Sequence, residues 1–423
     1  APPSTPKAQK SYTQELSAKM RNLPVSKAEK DALLKAAVPQ VQRRASLAAA
    51  GLTPPVGTQR TYYVLDDYEG AYVPETFTLR TVGSNIEVWV ADDLNYPDTD
   101  CRNDGNVNVV TDAQTKALAD EFDNNILPKE SQYFSVAPDR DGSNALVGPP
   151  GYYAGDGDKT LALISNVRDA NYYEPDTPDG KTYIAGFFSP TFNEVYDRNV
   201  MTIDSYDWAQ RTGANPQAGE SCQGELKPRP RLYEGTFAHE YQHLLEYYAD
   251  GDEGTWLNEG LSDYAQTIVG YVDTTKRPSD PTADSHIMCF EGWYATQAFP
   301  YCGAEQSLTQ WEDQGSSSIL SDYGAAYAFV TYLQNHFGTQ AISYLHTAQP
   351  NGLDSVQAML DELAPGESVM DVLHDWAAAM ALDGFVDDGA KGLTGSEKAR
   401  FTSNQLYGSI RWDFDGSYDT AGA

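Results

Sequence analysis

A single change in hydrophobic periodicity constrains the fold of this chain more than any other feature of its sequence. Between Thr61 and about Asp207, apolar residues come in short runs separated by clusters of glycine, proline, asparagine and aspartate, as in β-strands. After Pro228 the apolar residues recur at helical spacing instead. Because strands and helices are segregated along the chain, we predict an α+β fold.

The β-rich part is predicted to form a mixed sheet with one packed helix. Its strands are TYYVLDD, TFTLRTV, IEVWVAD, TLALISN, TYIAGFF and NVMTIDSY, and its helix spans residues 112–126. Further helices are predicted at 11–50, 231–249, 259–271, 322–337, 339–347, 354–362 and 368–382. In the first of these, Ser26 is the expected cap, with Glu29 at the third helical position.

These patterns divide the chain into four parts. Residues 1–58 form a basic helical segment, 59–228 a β-rich lobe, 229–385 a helical lobe and 386–423 an irregular C-terminal segment. Residues 1–50 contain nine lysines and arginines against three acidic residues, whereas the rest of the chain is strongly acidic. The first segment is therefore interpreted as a propeptide or as a packing arm that docks on the acidic body.

The overall charge limits the partners of this protein. The net charge is −32, from 61 acidic and 29 basic residues, which argues against nucleic acid and anionic membranes and favours a self-repelling monomer. The sequence contains no run of eighteen apolar residues and does not begin with a signal peptide. We therefore expect a processed chain without a membrane span.

The four cysteines indicate a disulfide-bonded, extracellular protein. Their spacing contains no CxxC motif, so two disulfides are favoured over a metal site. Proximity suggests Cys289 with Cys302, which would leave Cys101 with Cys222. All three pairings, and four reduced thiols, remain open from the sequence.

The string His239-Glu240-Tyr241-Gln242-His243 is an HExxH motif within the helix predicted at 231–249. Helical spacing places the two imidazoles one turn apart on one face, where they can bind a single zinc ion. A catalytic zinc site needs a third protein ligand and an open position for water. Glu259 lies sixteen residues after His243 and has Asp263 one helical turn further on. The alternative is that both acids lie on a solvated helix face.

The combination of HExxH with Asn258-Glu259-Gly260-Leu261-Ser262-Asp263 resembles the gluzincin metallopeptidases, the clan that includes thermolysin. Through the string WLNEGLSDYA and the later DYGAAY, it is most similar to the hyicolysin-like family of secreted neutral metallopeptidases. This resemblance implies a thermolysin-like two-lobed fold in which Glu259 is the third zinc ligand. Asp263 would then orient a ligand histidine, expected to be His239. The metzincin alternative would need a glycine and a third histidine after His243, and the sequence has neither.

The same resemblance implies further roles. Tyr323 matches a catalytic tyrosine of gluzincin aminopeptidases and would stabilise an oxyanion, although simple core packing is the alternative. The chain lacks the aminopeptidase strand that recognises a free amino terminus, so we expect an endopeptidase. Glu240 is the predicted general base. The run containing Ala185, Gly186 and Phe187 falls where this clan places its substrate-binding edge strand.

Other residues and functions are weaker candidates. His286 is a spare proton donor, and the acidic loops at 139–142, 156–158 and 176–180 make calcium a second candidate ion. A binding or adhesion protein on a silent metallopeptidase fold is one rival function, but an intact Glu240 argues against it. A zinc hydrolase of non-peptide amides or esters is another. We predict a secreted zinc metalloendopeptidase that acts on protein or peptide substrates.

Overall fold

A computed structural model gives the fold of the chain. It describes residues 14–16, 27–37, 53–104, 108–177, 180, 182–273, 284–292, 302–304, 307–311, 319–387, 392 and 394–400. The described residues form two compact units. Unit 1 comprises those within 1–20, 25–123 and 139–237, and unit 2 comprises those within 124–138 and 238–423. Ser26, the predicted cap of the first helix, lies outside the described residues.

The strands and helices bear out the α+β class. The strands are β1 (Gln14–Leu16), β2 (Gln59–Asp66), β3 (Ala71–Val82), β4 (Ile86–Ala91), β5 (Thr160–Ser165), β6 (Thr182–Ile184), β7 (Gly186–Phe188), β8 (Asn199–Asp204), β9 (Gly219–Ser221) and β10 (Gly224–Leu226). The helices are α1 (Lys27–Ala37), α2 (Asp112–Glu121), α3 (Leu127–Tyr133), α4 (Ala170–Tyr173), α5 (Pro190–Tyr196), α6 (Trp208–Arg211), α7 (Leu232–Ala249), α8 (Thr255–Val269), α9 (Ser285–Phe290), α10 (Ile319–Phe337), α11 (Thr339–Leu345), α12 (Leu353–Leu363), α13 (Val369–Asp387) and α14 (Gly395–Arg400).

Unit 1 contains a six-stranded mixed sheet with the order β2-β3-β4-β5-β8-β7. Strands β4, β5 and β8 run parallel to one another, while β2, β3 and β7 pair antiparallel with their neighbours. Every residue of the three parallel strands is buried, which explains why their sequences do not alternate regularly between apolar and polar residues. The mixed sheet predicted from the sequence is therefore present.

Helix α1 packs on this sheet through Leu33 and Ala37, which belong to the same hydrophobic core as Tyr63 and Trp89. The described part of the basic segment is thus integrated into unit 1. The prediction of continuous helix over 11–50 is wrong at Gln14–Leu16, which pairs in parallel with Thr182–Ile184. Pairing with a distant strand overrides local helical preference there.

The helix predicted at 112–126 is interrupted near its end. Helix α2 begins with a capping box, in which Thr111 accepts from the Gln114 amide and the Gln114 side chain accepts from the Thr111 amide. The chain then passes through one π-helical turn at Phe122–Ile126 and continues as α3. Pro128, near the start of α3, fits the first helical turn because no amide donor is needed there.

Unit 2 is helical and is organised around α8 and α10. Gly260 allows these two helices to approach closely, because a Cβ there would lie 2.8 Å from Val330 Cγ2 and 2.9 Å from the Ala326 carbonyl oxygen. The surrounding core includes Leu257, Leu261 and Phe329. Helix α8 begins four residues earlier than predicted, so Glu259 lies well inside it.

The predicted disulfides are both present. Cys101 is bonded to Cys222 in unit 1, and Cys289 is bonded to Cys302 in unit 2. Within the described part of the chain, no helix has the length and apolar character needed to cross a membrane.

Candidate metal centre

Two helices of unit 2 bring the predicted metal ligands together. Helix α7 supplies His239 and His243 from adjacent turns of one face, and α8 supplies Glu259. All three side chains are fully buried. No other group of three histidine, cysteine, aspartate or glutamate side chains among the described residues comes close enough together to hold an ion.

The spacing of the three donor atoms suits a single small cation. The Nε2 atoms of His239 and His243 are 3.0 Å apart, and each lies 3.2 Å from Glu259 Oε2. Tetrahedral coordination with bonds of about 2.0–2.2 Å separates ligand atoms by about 3.3 Å. Two imidazole nitrogens and one carboxylate oxygen are also the donor types that catalytic zinc uses.

The partners of the two imidazoles determine which nitrogen faces the centre. His239 Nδ1 lies 2.9 Å from Asp263 Oδ1, and His243 Nδ1 lies 2.6 Å from Asn258 Oδ1. Both oxygens can only accept, so the ring protons belong on Nδ1 and the Nε2 lone pairs point toward Glu259. Glu259 Oε2 is buried and faces both Nε2 atoms at 3.2 Å. Converging lone pairs of this kind require a cation or a shared proton.

The electrostatics of the cluster favour positive charge. Burial raises the pKa of Glu259, but the nearby His243 and His239 outweigh it and lower that pKa below its usual range. Burial lowers the pKa of His239, but hydrogen bonds to Asp263 and Glu259 outweigh it and raise that pKa well above its ordinary value. A metal ion would therefore displace a proton from this site when it binds.

Asp263 contacts His239, and it has a second imidazole partner that was not predicted from the sequence. Its Oδ1 accepts from His239, while its Oδ2 lies 2.8 Å from His286 Nδ1. Burial alone would raise the pKa of Asp263, but His286 and His239 hold it well below its usual range. Burial would lower the pKa of His286, but Asp263 and Asp284 raise it to about 9. Asp263 is therefore an ionised carboxylate between two imidazoles.

Glu240 and Tyr323, the predicted catalytic residues, are both buried in unit 2. Glu240 follows His239 directly on α7 but does not belong to the three-ligand cluster. The Tyr323 hydroxyl, on α10, donates to Glu259 Oε1 at 3.4 Å. Burial, together with Glu259, raises the pKa of Tyr323 well above its ordinary value, so its hydroxyl remains a proton donor.

A buried polar network beside His243 was not predicted from the sequence. The Ser262 hydroxyl lies 2.8 Å from His243 Nδ1 and donates to the side-chain oxygen of Gln242. Gln242 donates in turn to Glu246 at 2.9 Å. The network continues through His346 to Ser135, whose hydroxyl is 2.9 Å from His346 Nε2. The only sequence feature that pointed to this network was helical spacing: Gln242 and Glu246 are four residues apart, as are Asn258 and Ser262.

The predicted substrate-binding residues lie in unit 1. Ala185, Gly186 and Phe187 are buried, and the last two belong to β7 at one end of the six-stranded sheet. A Cβ at Gly186 would lie 2.8 Å from Thr236 Cγ2, so only glycine allows β7 to approach the first turns of α7 this closely.

Two of the acidic loops proposed for calcium, at 139–142 and 156–158, line one depression in unit 1. Carboxylates there already have protein partners, because Asp156 accepts from the Thr53 hydroxyl and Asp197 accepts from the Asn144 amide. The third loop extends outside the described residues at 178–179. Calcium stays a prediction.

Comparison with known proteins places these observations in context. No family model matches the chain. The chain is similar to the neutral metalloprotease ShpI of Staphylococcus hyicus, with 25% identity over 269 residues, which is 60% of this chain and 46% of that protein. The matched region thus spans about half the length of this relative. Together, this partial similarity and the buried His-His-Glu cluster support a metallopeptidase family for this chain.

Proposed function

We propose that this protein is a secreted zinc-dependent endopeptidase with a thermolysin-like, gluzincin arrangement of its active site. The observation that carries the proposal is the convergence of His239, His243 and Glu259 at 3.0–3.2 Å in a buried centre. These residues would hold the zinc ion, and Asp263 and Asn258 would hold the two imidazoles in the ligating tautomer. The metalloprotease name of the similar protein supports peptide bonds as the target.

When bound, zinc would supply Lewis acidity toward the scissile carbonyl and its attacking water. Glu240 acts as the general base, accepting a proton from that water and returning it to the departing amine. Its position directly after His239 on α7, outside the ligand set, supports this role. Tyr323 donates its hydroxyl hydrogen to the developing oxyanion.

The remaining parts of the proposal concern substrate and location. An extended peptide would pair along residues 185–187, with backbone hydrogen bonds giving affinity. The two disulfides support an oxidising, extracellular environment. The net charge of −32 supports a monomeric particle that avoids nucleic acid.

Metal content and casein cleavage, measured for the wild type and Glu240→Gln, test the proposal. We expect one equivalent of zinc in both proteins and about 100- to 10,000-fold lower activity in the variant, since loss of the general base removes proton transfer at both steps. Glu362→Gln is the matched control, because Glu362 is exposed on α12 of the same unit. This control should keep full activity, and a chelator should abolish the activity of the wild type.

Other outcomes would favour the rival functions. Zinc in both proteins without cleavage by either would favour a binding protein or a precursor. Chelator-sensitive hydrolysis of small amides or esters, with casein intact, would favour a non-peptide hydrolase. Absence of zinc from the wild type would eliminate the metal centre.

A further inference from the structure

We propose that His286 is a positioning residue of this reaction, which fixes both the carboxylate that holds metal ligand His239 and the ring of Tyr323. The inference rests on the proposed function, because it assigns a role within the same site. His286 lies on α9, outside both sequence motifs that define the ligands.

The first contact is with Asp263. Its two carboxylate oxygens are occupied by two different imidazoles, His239 at 2.9 Å and His286 at 2.8 Å. Gln266 adds a weaker donor to the same oxygen as His239, at 3.1 Å. A carboxylate held at one oxygen can rotate about its terminal torsion, whereas one held at both cannot. His286 therefore fixes the plane in which Asp263 accepts from His239.

The second contact is with Tyr323. The rings of His286 and Tyr323 are stacked, with centroids 4.7 Å apart and planes inclined by 21°. Trp311 packs against Tyr323 edge-on, at 5.0 Å and 81°. These two neighbours restrict the ring to one orientation. The direction of the Tyr323 hydroxyl, which lies 3.4 Å from Glu259 Oε1, is thereby set.

The backbone around His286 is itself tightly placed. Asp284 caps α9 by accepting from the amides of His286 and Ile287. Gly324 lets α9 lie directly on α10, because a Cβ there would be 2.2 Å from the His286 carbonyl oxygen. The Cys289–Cys302 disulfide anchors the same short helix. The His286 side chain is 5% exposed, so it has no room to turn away from Asp263.

Two substitutions separate the two contacts. His286→Phe keeps an aromatic ring against Tyr323 but removes the N–H donor to Asp263. His286→Asn keeps an N–H donor close to the position of Nδ1, where it can still reach Asp263, but it removes the ring that stacks on Tyr323. His374→Phe and His374→Asn are matched controls, because His374 is exposed on α13 of the same unit.

The measurements are zinc affinity by chelator competition, kcat and KM on a peptide substrate, and thermal unfolding of the zinc-loaded proteins. His286→Phe should weaken zinc binding by about 10- to 100-fold, the effect of losing an outer partner of a metal ligand. His286→Asn should keep zinc affinity within about threefold of wild type, yet lower kcat by about tenfold at unchanged KM. The His374 variants should change none of these quantities.

Three results would overturn the proposal. If His286→Phe kept both zinc affinity and kcat, the histidine would serve packing alone. If zinc affinity and kcat fell together in both variants, in step with the unfolding temperature, the role would be structural. If His286→Phe did not fold, a His286→Asn protein with unchanged kcat would decide against the role in orienting Tyr323.

A failure of the proposed function can be distinguished from a failure of the role given to His286. A wild type that binds zinc but cleaves no peptide would remove the catalytic part, while the zinc affinities of the variants would still test the contact with Asp263.

In metal-free protein, imidazole N–H signals in proton NMR provide an independent readout. Wild type should show strongly downfield signals from the imidazole N–H groups that face carboxylates, those of His239, His286 and His346, and His286→Phe should lose one of them. An unchanged spectrum would exclude the His286 to Asp263 hydrogen bond.

Discussion

Asp263 and Asn258 orient the candidate metal centre because each places an oxygen where it accepts a hydrogen bond from Nδ1–H of a ligand imidazole. They differ in charge, and only Asp263 has two imidazoles to satisfy. Replacing its carboxylate by an amide would place an N–H group opposite an N–H donor. The substitution Asp263→Asn therefore probes the centre without changing its size.

Asp263→Asn should weaken zinc binding by about 10- to 100-fold, because His239 loses a charged partner and His286 faces a donor. Chelator competition measures the change. Asp361→Asn, at an exposed position of α12, is the control and should bind zinc like the wild type. Unchanged affinity in Asp263→Asn would contradict the role given to this carboxylate.

A second prediction concerns the pH dependence of stability in metal-free protein. Asp263 and Asp284 raise the pKa of His286 to about 9, above the unfolded value of about 6.5. The resulting stabilisation is fully present below about pH 6.5 and is lost as the pH rises through about 9. It amounts to about 3 kcal/mol of the free energy of unfolding.

Urea unfolding of metal-free wild type and His286→Phe between pH 6 and 10 tests this. The stability difference between them should shrink as the pH rises, because the protonated state of His286 that Asp263 and Asp284 favour is lost. Parallel curves over this range would mean that His286 is not protonated in the folded state.

At the level of single residues, the sequence predicted the groups that belong to short motifs. His239, His243, Glu259 and Asp263 are linked by fixed helical spacing, so their proximity follows from two helices lying together. His286 lies 23 residues from Asp263, and no periodicity relates them. The pair of Glu246 and His346, 100 residues apart, is equally invisible before the fold is known.

At the level of elements, the close contact of α9 with α10 depends on Gly324. A methyl group there would meet the His286 carbonyl oxygen at 2.2 Å and Phe290 Cβ at 2.5 Å. Gly324→Ala should therefore displace α9 and lower the free energy of unfolding by about 1–3 kcal/mol, despite alanine's better helix propensity.

Thermal unfolding and zinc affinity both report on Gly324→Ala, since α9 carries His286. The matched control is Gly395→Ala on α14, where an added Cβ has no neighbour within 4 Å. That control should be neutral or slightly stabilising. If the two variants had the same unfolding temperature and zinc affinity, α9 would be able to move away from α10 without loss of stability.

Some strands and helices could not be predicted from the local pattern of apolar and polar residues. The run TYIAGFF, predicted as one strand, is two strands in different sheets: β6 pairs with β1 and β7 pairs with β8. The change of partner occurs at Ala185, where the following Gly186 is the only local signal in the sequence. Short helices such as α5 and α9 lack the length that a periodic signal needs.

At the level of the whole molecule, sequence periodicity placed a division after residue 228, whereas the compact units divide within α7, after Phe237. The change from strands to helices marks where a new kind of structure begins. This change does not show which hydrophobic core the first turns of the following helix pack against. Those turns, including Thr236, pack on β7 in unit 1, while His239 and His243 belong to unit 2.

This arrangement makes the effect of metal removal specific to one unit. All three ligands, together with Asp263, Asn258 and Tyr323, belong to unit 2. A ligand that binds only the folded state stabilises it by RT ln(1 + [L]/Kd), about 4 kcal/mol at a thousand times Kd. Removal of zinc should therefore speed hydrogen exchange in α8, α10 and the second half of α7.

Hydrogen exchange with mass spectrometry, with and without chelator, measures this segment by segment. The strands β4, β5 and β8 should exchange equally slowly in both conditions, because all three residues of the ligand cluster belong to unit 2. Glu240→Gln should respond like the wild type, since Glu240 lies outside the three-ligand cluster, whereas His243→Ala should not respond at all. Faster exchange of the sheet and of the helices to the same extent would mean that the two units unfold as one. The ion would then stabilise the whole described chain rather than its helical unit alone.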